Sequence, residues 1–499
     1  MATLPELADL HDATHGDYER LHFQGRTYSS LELSGMAKRF AAGLIDLGLQ
    51  PDDRVLVMLP NGSEVGTVYQ GAWRAGGAVT PVLFLLSPHE VARIAHEAEP
   101  TVAVTSPAFL PLVREALAAA PPARALVTTG PASDGTVAFD DLLARGALVD
   151  PVPRTEDDLA ALLFTGGTTG ASKGVMLTHG NIAFDAEAGS RAAEVGDGEV
   201  GLTALPLAHA YGILVAATGL FVKGFGVLLP WFEPAAFLDA IERFRVTRTA
   251  VVPTMLQFLL QMPLEDRDLS SLRVVTSGAA PLPVEVIQQW EERTSSVIVE
   301  GYGCTEATAA ISVERPSLPR KPGSVGLPLP GIEVRILDEG DADVATGETG
   351  EICCRGSSVM AGYWRQPEET AAVLRGGWLH TGDIGRLDAD GYLYVVERKK
   401  DIIIRGGINV FPRDVEEVLA EHPDVAMAGV VGRPDAVYGE EVVAFVVPRA
   451  GSGLTEDQVL AFASDRLGKH KRPAEVRLTP SLPLTPVGKV ARKELRTLL

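Results

Sequence analysis

The sequence predicts an α/β fold: a large N-terminal domain of two α/β sheet subdomains plus a small β subdomain, hinged to a small α+β C-terminal domain. Three observations carry the prediction. Short apolar runs alternate with amphipathic segments over most of the chain, and several runs end in a Gly/Ser/Thr loop that opens a helical pattern. Beyond residue 320, Gly and Pro become dense and the apolar runs shorten. A charged pentad, Glu397 to Asp401, then precedes a compact final stretch.

The strand-like runs are 54–59, 101–104, 124–128, 159–164, 249–252, 273–276 and 296–299. Residues 129–158, rich in Gly, Pro and Asp, read as a loosely structured connection between the two α/β units. The most apolar stretch, 210–222, is shorter than the ~20 residues that span a bilayer and predicts a buried helix. Runs 334–338, 350–355 and 391–396 build the small β subdomain. The last stretch reads β-α-β-β-α-β. Its first helix starts near Pro412, a favoured first-turn residue, with Val415, Val418 and Leu419 on one face. The expected boundaries are a domain at 1–397, a hinge at 398–400 and a domain at 401–499.

Hydrophobic residues make up 46% and charged residues 22% of the 499, which excludes disorder over most of the chain and rod-like repeats. The formal net charge is −21. Such a surface repels phosphate backbones, so nucleic acid is not an expected partner. Small anions need only a local pocket of cations and N–H groups. Cys304, Cys353 and Cys354 form no CxxC pair and no metal-ligand spacing, which fits a reducing compartment. The acidic N-terminal stretch lacks the basic-then-apolar layout of a secretory signal. A cytoplasmic enzyme without a transmembrane segment is the expectation, with a homodimer left open.

Residues 165–174 read TGGTTGASKG and follow an apolar run. Glycines let the backbone wrap an anion closely. The N–H groups and hydroxyls of Thr165, Thr168 and Thr169 can cradle phosphate oxygens, and Lys173 supplies a compact positive charge. A Walker A loop fails on spacing: Ser172 stands where glycine belongs and Gly174 where Ser or Thr belongs. A short strand, not a helix, follows at Val175.

This loop resembles the phosphate-binding signature T-S-G-T-T-G-x-P-K-G of the adenylate-forming superfamily: acyl-CoA synthetases, luciferase-like enzymes and peptide-synthetase adenylation domains. Gly166 replaces Ser and Ser172 replaces Pro, while Gly167, Thr168, Thr169, Gly170 and Lys173 are kept. The resemblance continues at matching spacing along the chain. His209 closes a P-x-x-H segment beside the acyl pocket, followed by Ala210, Tyr211 and Gly212. Ser277, Gly278 and Ala279 resemble the loop that contacts adenine. Gly301, Tyr302, Gly303, Thr305 and Glu306 resemble the Y-G-x-T-E motif. There the resemblance implies Tyr302 near adenine, Thr305 on the α-phosphate and Glu306 on Mg²⁺, an oxygen ligand for a hard cation. Asp383 matches the aspartate that accepts from both ribose hydroxyls, and Arg398 the arginine that also reaches the ribose. Lys400 falls at the hinge position, Gly406 and Gly407 on the loop that enters in a second conformation, and Lys489 on the loop bearing the adenylation lysine. Segment 470–473 resembles a Y-K-x-P segment with His470 for Tyr. Lys471 there reads equally as a CoA-phosphate contact or as surface charge.

The resemblance implies an AMP-forming acid–thiol ligase using ATP, Mg²⁺ and coenzyme A. A carboxylate attacks the ATP α-phosphate, and a thiol then takes the acyl group. Amino-acid-activating relatives carry an aspartate after the P-x-x-H segment where this chain has Ala210. The implied substrate is therefore a neutral aliphatic, alicyclic or aromatic carboxylic acid. Transfer to a carrier protein, or a chain that performs only the thioester-forming half-reaction from a supplied adenylate, are the alternatives. A non-enzymatic nucleotide-binding scaffold would not keep Lys173, Glu306, Asp383, Arg398 and Lys489 together.

Overall fold

The computed structural model describes residues 2–133, 135–165, 173–435, 437–485 and 489–499. Two large sheets form the N-terminal body. The first runs Gly362–Tyr363, Lys173–Thr178, Leu159–Thr165, Ala78–Pro81, Arg54–Met58, Val102–Thr105, Ala125–Thr128, Val137–Ala138. It is parallel from Leu159–Thr165 onward and antiparallel at the other edge. Its central strands are apolar without alternation because helices cover both faces: Ala160, Ala161, Leu162 and Leu163 are all buried.

The second sheet runs Leu327–Pro328, Ser312–Val313, Val297–Tyr302, Val274–Ser277, Arg248–Val251, Val200–Thr203, Phe225–Leu228, Glu19–Phe23, Arg26–Ser29. Five successive pairings, from Val297–Tyr302 to Glu19–Phe23, are parallel. One core joins both sheets: Val57 and Leu163 from the first, Leu228 from the second, and Trp73, Ile182 and Ile213 from helices Ser63–Arg74, His179–Ala192 and Ala210–Thr218. Ligands of open parallel sheets collect outside the carboxyl ends of the strands. Those ends here carry Leu205, Pro253, Gly278 and Gly303.

A third, antiparallel sheet pairs Glu333–Leu337, Gly350–Arg355, Trp378–Leu387, Leu374–Arg375 and Leu393–Arg398. The last sheet pairs Ile408–Val410, Ile403–Arg405, Gly439–Pro448, Val425–Asp435 and Glu475–Leu478. Helices Pro412–Ala420 and Glu456–Arg466 bury Val415, Leu419 and Val459 on one of its faces, and helix Arg492–Thr497 covers the other through Leu495.

The α/β architecture follows the sequence reading, with local differences. Within 129–158 the chain forms strand Val137–Ala138 and helix Phe139–Arg145. That helix is held because Phe139 packs with its ring 5.0 Å from that of Phe40, tilted by 35°, and seven residues are too few to show a period. Stretch 210–222 is helical only over Ala210–Thr218, with Ile213 buried and Ala216 exposed, because that face looks onto a cavity. The final domain opens with a hairpin and ends with a helix that the β-α-β-β-α-β pattern did not include.

Gly303 follows strand Val297–Tyr302, and a Cβ there would lie 1.9 Å from the Ala309 carbonyl oxygen. At Gly301 the nearest atom would be 3.5 Å away, an ordinary contact. Gly303→Ala is expected to lower the melting temperature by about 5–10 °C in calorimetry, whereas Gly301→Ala changes it by about 1 °C or less.

Candidate active site

A cavity of about 2250 Å³ opens where the carboxyl ends of the second sheet meet the third sheet and the segment carrying Lys489. Small-molecule pockets occupy about 300–1,000 Å³, so the space admits more than one ligand.

One side of the cavity is organised by Asp383. Strands Trp378–Leu387 and Leu393–Arg398 pair antiparallel with Asp383 opposite Arg398. Arg398 Nε lies 2.8 Å from Asp383 Oδ1. The Tyr302 hydroxyl donates to Oδ2 at 2.7 Å. Below, the Asp383 N–H donates to Thr381 Oγ1 at 3.1 Å, and that hydroxyl donates to the Ile352 carbonyl at 2.8 Å. Burial, reinforced by Asp383, pushes the Tyr302 phenol up, so it stays protonated and remains the donor. The carboxylate keeps lone pairs for a diol.

The cationic side comes from three segments. Lys489 stands next to the antiparallel bridge between Leu484 and Val490. Burial, and then the Arg398 guanidinium, bring its pKa down to about 8. Lys400 also lines the cavity, and burial and Arg398 lower its pKa too. Lys173 pairs with Glu369 and sits 4.9 Å from the centre of the Tyr363 ring. The Tyr363 hydroxyl donates to Glu306 Oε1 at 2.9 Å. Thr165 Oγ1 donates to the Lys173 carbonyl at 3.4 Å, tying the two strand ends of the TGGTTGASKG loop. Gly166, Gly167, Thr168, Thr169 and Gly170 lie outside the described residues.

On another side, His209 caps helix Ala210–Thr218: its Nδ1 accepts from the Tyr211 N–H at 3.2 Å. Burial and the neighbouring Lys489 bring the imidazole pKa down to about 4. The ring is neutral at pH 7, and with Nδ1 accepting, the proton sits on Nε2. The Tyr211 hydroxyl donates to the Thr276 carbonyl at 3.1 Å, beside Gly278. Ala279 holds φ +71°, the left-handed region, which turns the chain at the strand end.

The cavity therefore gathers Thr165, Lys173, His209, Ala210, Tyr211, Gly278, Ala279, Gly301, Tyr302, Gly303, Thr305, Glu306, Asp383, Arg398, Lys400 and Lys489. Five expected residues stand elsewhere. Ser277 is buried within its strand. Gly212 packs against Pro206, where a Cβ would lie 2.1 Å from the carbonyl oxygen. Gly406 and Gly407 are exposed on the hairpin between Ile403–Arg405 and Ile408–Val410. Lys471 pairs with Asp414. Tyr363, Glu369 and Thr381 escaped the sequence reading. Only the pairing of Gly362–Tyr363 with Val175 and Met176 brings Tyr363 beside Lys173. The Cys304 thiol lines the cavity, but burial and Glu306 push its pKa well up, so it is not a thiolate nucleophile.

Among the described residues no group of three or more His, Cys, Asp or Glu side chains could hold a metal ion. Glu306 offers a single carboxylate to the cavity. That donor set suits Mg²⁺, which binds through one or two carboxylates plus substrate phosphates and keeps its waters. No helix among the described residues is long and apolar enough to cross a membrane.

Known proteins match along the whole chain. The AMP-binding enzyme profile matches residues 9–364, and the AMP-binding enzyme C-terminal domain matches residues 414–489. A long-chain-fatty-acid–CoA ligase of Bacillus subtilis is 37% identical, covering 96% of this chain and 91% of its own. A feruloyl-CoA synthase of an Amycolatopsis species is 36% identical over 95% of this chain and 94% of its own. Among solved structures, ATP-bound MatB from Rhodopseudomonas palustris superposes with a TM-score of 0.92 at 33% identity, covering 100% of this chain and 99% of that one. The chain belongs to the AMP-binding enzyme family.

Proposed function

We propose that the chain is an AMP-forming acid–thiol ligase that activates a neutral carboxylic acid as its acyl-adenylate and transfers the acyl group to coenzyme A. The observation that carries the reading is the meeting of Asp383, Arg398, Glu306, His209 and Lys489 in one cavity, although they come from four separate stretches of sequence. The relatives named above act on a long-chain fatty acid and on a feruloyl acid, both joined to CoA. Ala210, Tyr211 and Gly278 offer the acyl group no charge, so an α-ammonium group would be buried without a partner.

A carboxylate is a poor electrophile, and its attack on a triphosphate brings two anions together. The chain answers with positioning and charge. Asp383 accepts from the ribose hydroxyls while Arg398 fixes its orientation. Lys173 leaves Glu369 for the phosphates. Lys489 neutralises the attacking carboxylate and the α-phosphate, and neutral His209 donates from Nε2 beside it. Glu306 would hold Mg²⁺, which supplies charge neutralisation at the phosphates. The second half-reaction needs a thiol of the co-substrate and none from the chain. In this reading residues 398–400 are the hinge, and turning about Lys400 withdraws Lys489 and brings Gly406 and Gly407 to the cavity.

Four measurements test the proposal. Mass spectrometry of reactions containing ATP, Mg²⁺ and a pool of octanoate, benzoate, phenylacetate, ferulate, glycine and leucine is expected to show acyl-CoA and AMP only when CoA is present. Thioesters of glycine or leucine would refute the pocket assignment. Lys489→Ala is expected to reduce ATP-dependent pyrophosphate release by at least about 100-fold. Because protonated Lys489 is the working form and its pKa lies near 8, kcat/KM for that release should hold level below this pH and fall about tenfold per unit above it. Lys400→Pro is expected to block thioester formation from a supplied adenylate and to spare adenylate formation. Equal loss of both steps would rule out the hinge.

A further inference from the structure

The Lys489 side chain is long and flexible, so its placement depends on the backbone that carries it. The Thr485 N–H donates to the Lys489 carbonyl at 2.7 Å, and the Lys489 N–H donates to Thr485 Oγ1 at 3.1 Å. The Ala491 N–H donates to the Pro483 carbonyl at 2.8 Å. The chain then enters helix Arg492–Thr497, whose first residue is an arginine with only 16% of its side chain exposed.

Arg492 is gripped from two sides. Its Nη1 lies 2.9 Å from Glu397 Oε1, and its Nη2 lies 2.7 Å from Glu416 Oε2. Glu397 is 4% exposed and fully engaged: Oε1 also accepts from the Arg398 N–H at 2.9 Å, and Oε2 from the Arg413 N–H at 3.1 Å. Glu416 Oε1 accepts from the Val430 N–H at 2.8 Å. One turn further along, Arg496 Nη2 pairs with Asp401 Oδ1 at 2.9 Å.

Glu397 and Arg398 are consecutive residues of strand Leu393–Arg398, so their side chains leave on opposite faces. Arg398 holds Asp383 on one face. Glu397 holds Arg492 on the other, three residues beyond Lys489. A surface ion pair would add little. A buried carboxylate with donors on both oxygens is rigid, and losing one partner leaves an uncompensated charge.

We propose that Arg492, clamped between Glu397 and Glu416, is a positioning residue that aims Lys489 into the cavity. The clamp serves the half-reaction that uses Lys489 and leaves the other untouched. The kinetic part of the proposal rests on the ligase reading; the structural part does not.

Full-length Glu397→Gln and Arg492→Met test it in two ways. Hydrogen exchange of the unliganded chain is expected to accelerate at Thr485, Lys489 and Ala491 by at least about tenfold, with strand Gly439–Pro448 unchanged as the folding control. Unchanged protection at those three amides, or equal acceleration in the strand, overturns the proposal. In the second arm, pyrophosphate release with the acid pool should fall by at least about tenfold, while thioester formation from synthetic benzoyl- or octanoyl-adenylate and CoA stays within about twofold. Equal loss in both half-reactions overturns the positioning role. If the wild-type chain releases no pyrophosphate with any acid of the pool, the ligase reading fails for these acids, and the exchange arm alone decides the clamp.

Discussion

The pairing of Asp383 with Arg398 across two antiparallel strands is the constraint on which the site depends. Taking a carboxylate out of water is costly, and a guanidinium with good geometry offsets that cost only if the remaining lone pairs are also engaged. Here the register supplies the arginine, the carboxyl end of strand Val297–Tyr302 supplies a phenol, and Thr381 holds the backbone beneath. Two consecutive strands are thereby fixed against a third, Val297–Tyr302, from a distant part of the chain. The third sheet is locked to the end of the second, and the chain leaves Arg398 in a defined direction toward its final domain.

Charge is distributed against the grain of the composition. The chain as a whole carries −21, yet Lys173, Arg398, Lys400 and Lys489 line one cavity. An acidic surface repels an anionic ligand only within about one Debye length, ~8–10 Å at physiological salt. Inside, low dielectric and crowding strengthen the local field. Burial, and then the neighbouring Arg398 guanidinium, depress the pKa of Lys489 and Lys400. Cations held this close together in a buried cavity carry a local electrostatic cost. Functional sites commonly carry this kind of local cost.

The acyl side uses a different principle. His209, buried and capping a helix, is kept neutral and single in tautomer by the Tyr211 N–H. The neighbouring wall is backbone and small side chains, with Gly303 close enough to Ala309 that no side chain fits. Burial and shape rather than charge define that end, in contrast to the ion-paired nucleotide end.

Much of this was legible in the sequence. The strands at the cavity mouth are short continuous apolar runs, because sheets covered on both faces demand them, and that pattern is local. Several residues that line the cavity sit in Gly-framed loops of distinctive chemistry, so Lys173, Glu306, Asp383, Arg398 and Lys489 could be picked out one at a time. Helix Phe139–Arg145 was hidden because its stability comes from Phe40, about a hundred residues away. Tyr363 was hidden because its role arises from an edge pairing with Val175 and Met176. Glu397 and Arg492 read as ordinary charge in a charged stretch. Sequence alone determined which chemically capable side chains the chain carries and in which loops, because chemical identity and local spacing belong to the chain. Tertiary structure alone decided which charges are buried against which, because register and domain packing set the distances on which desolvation and pairing depend.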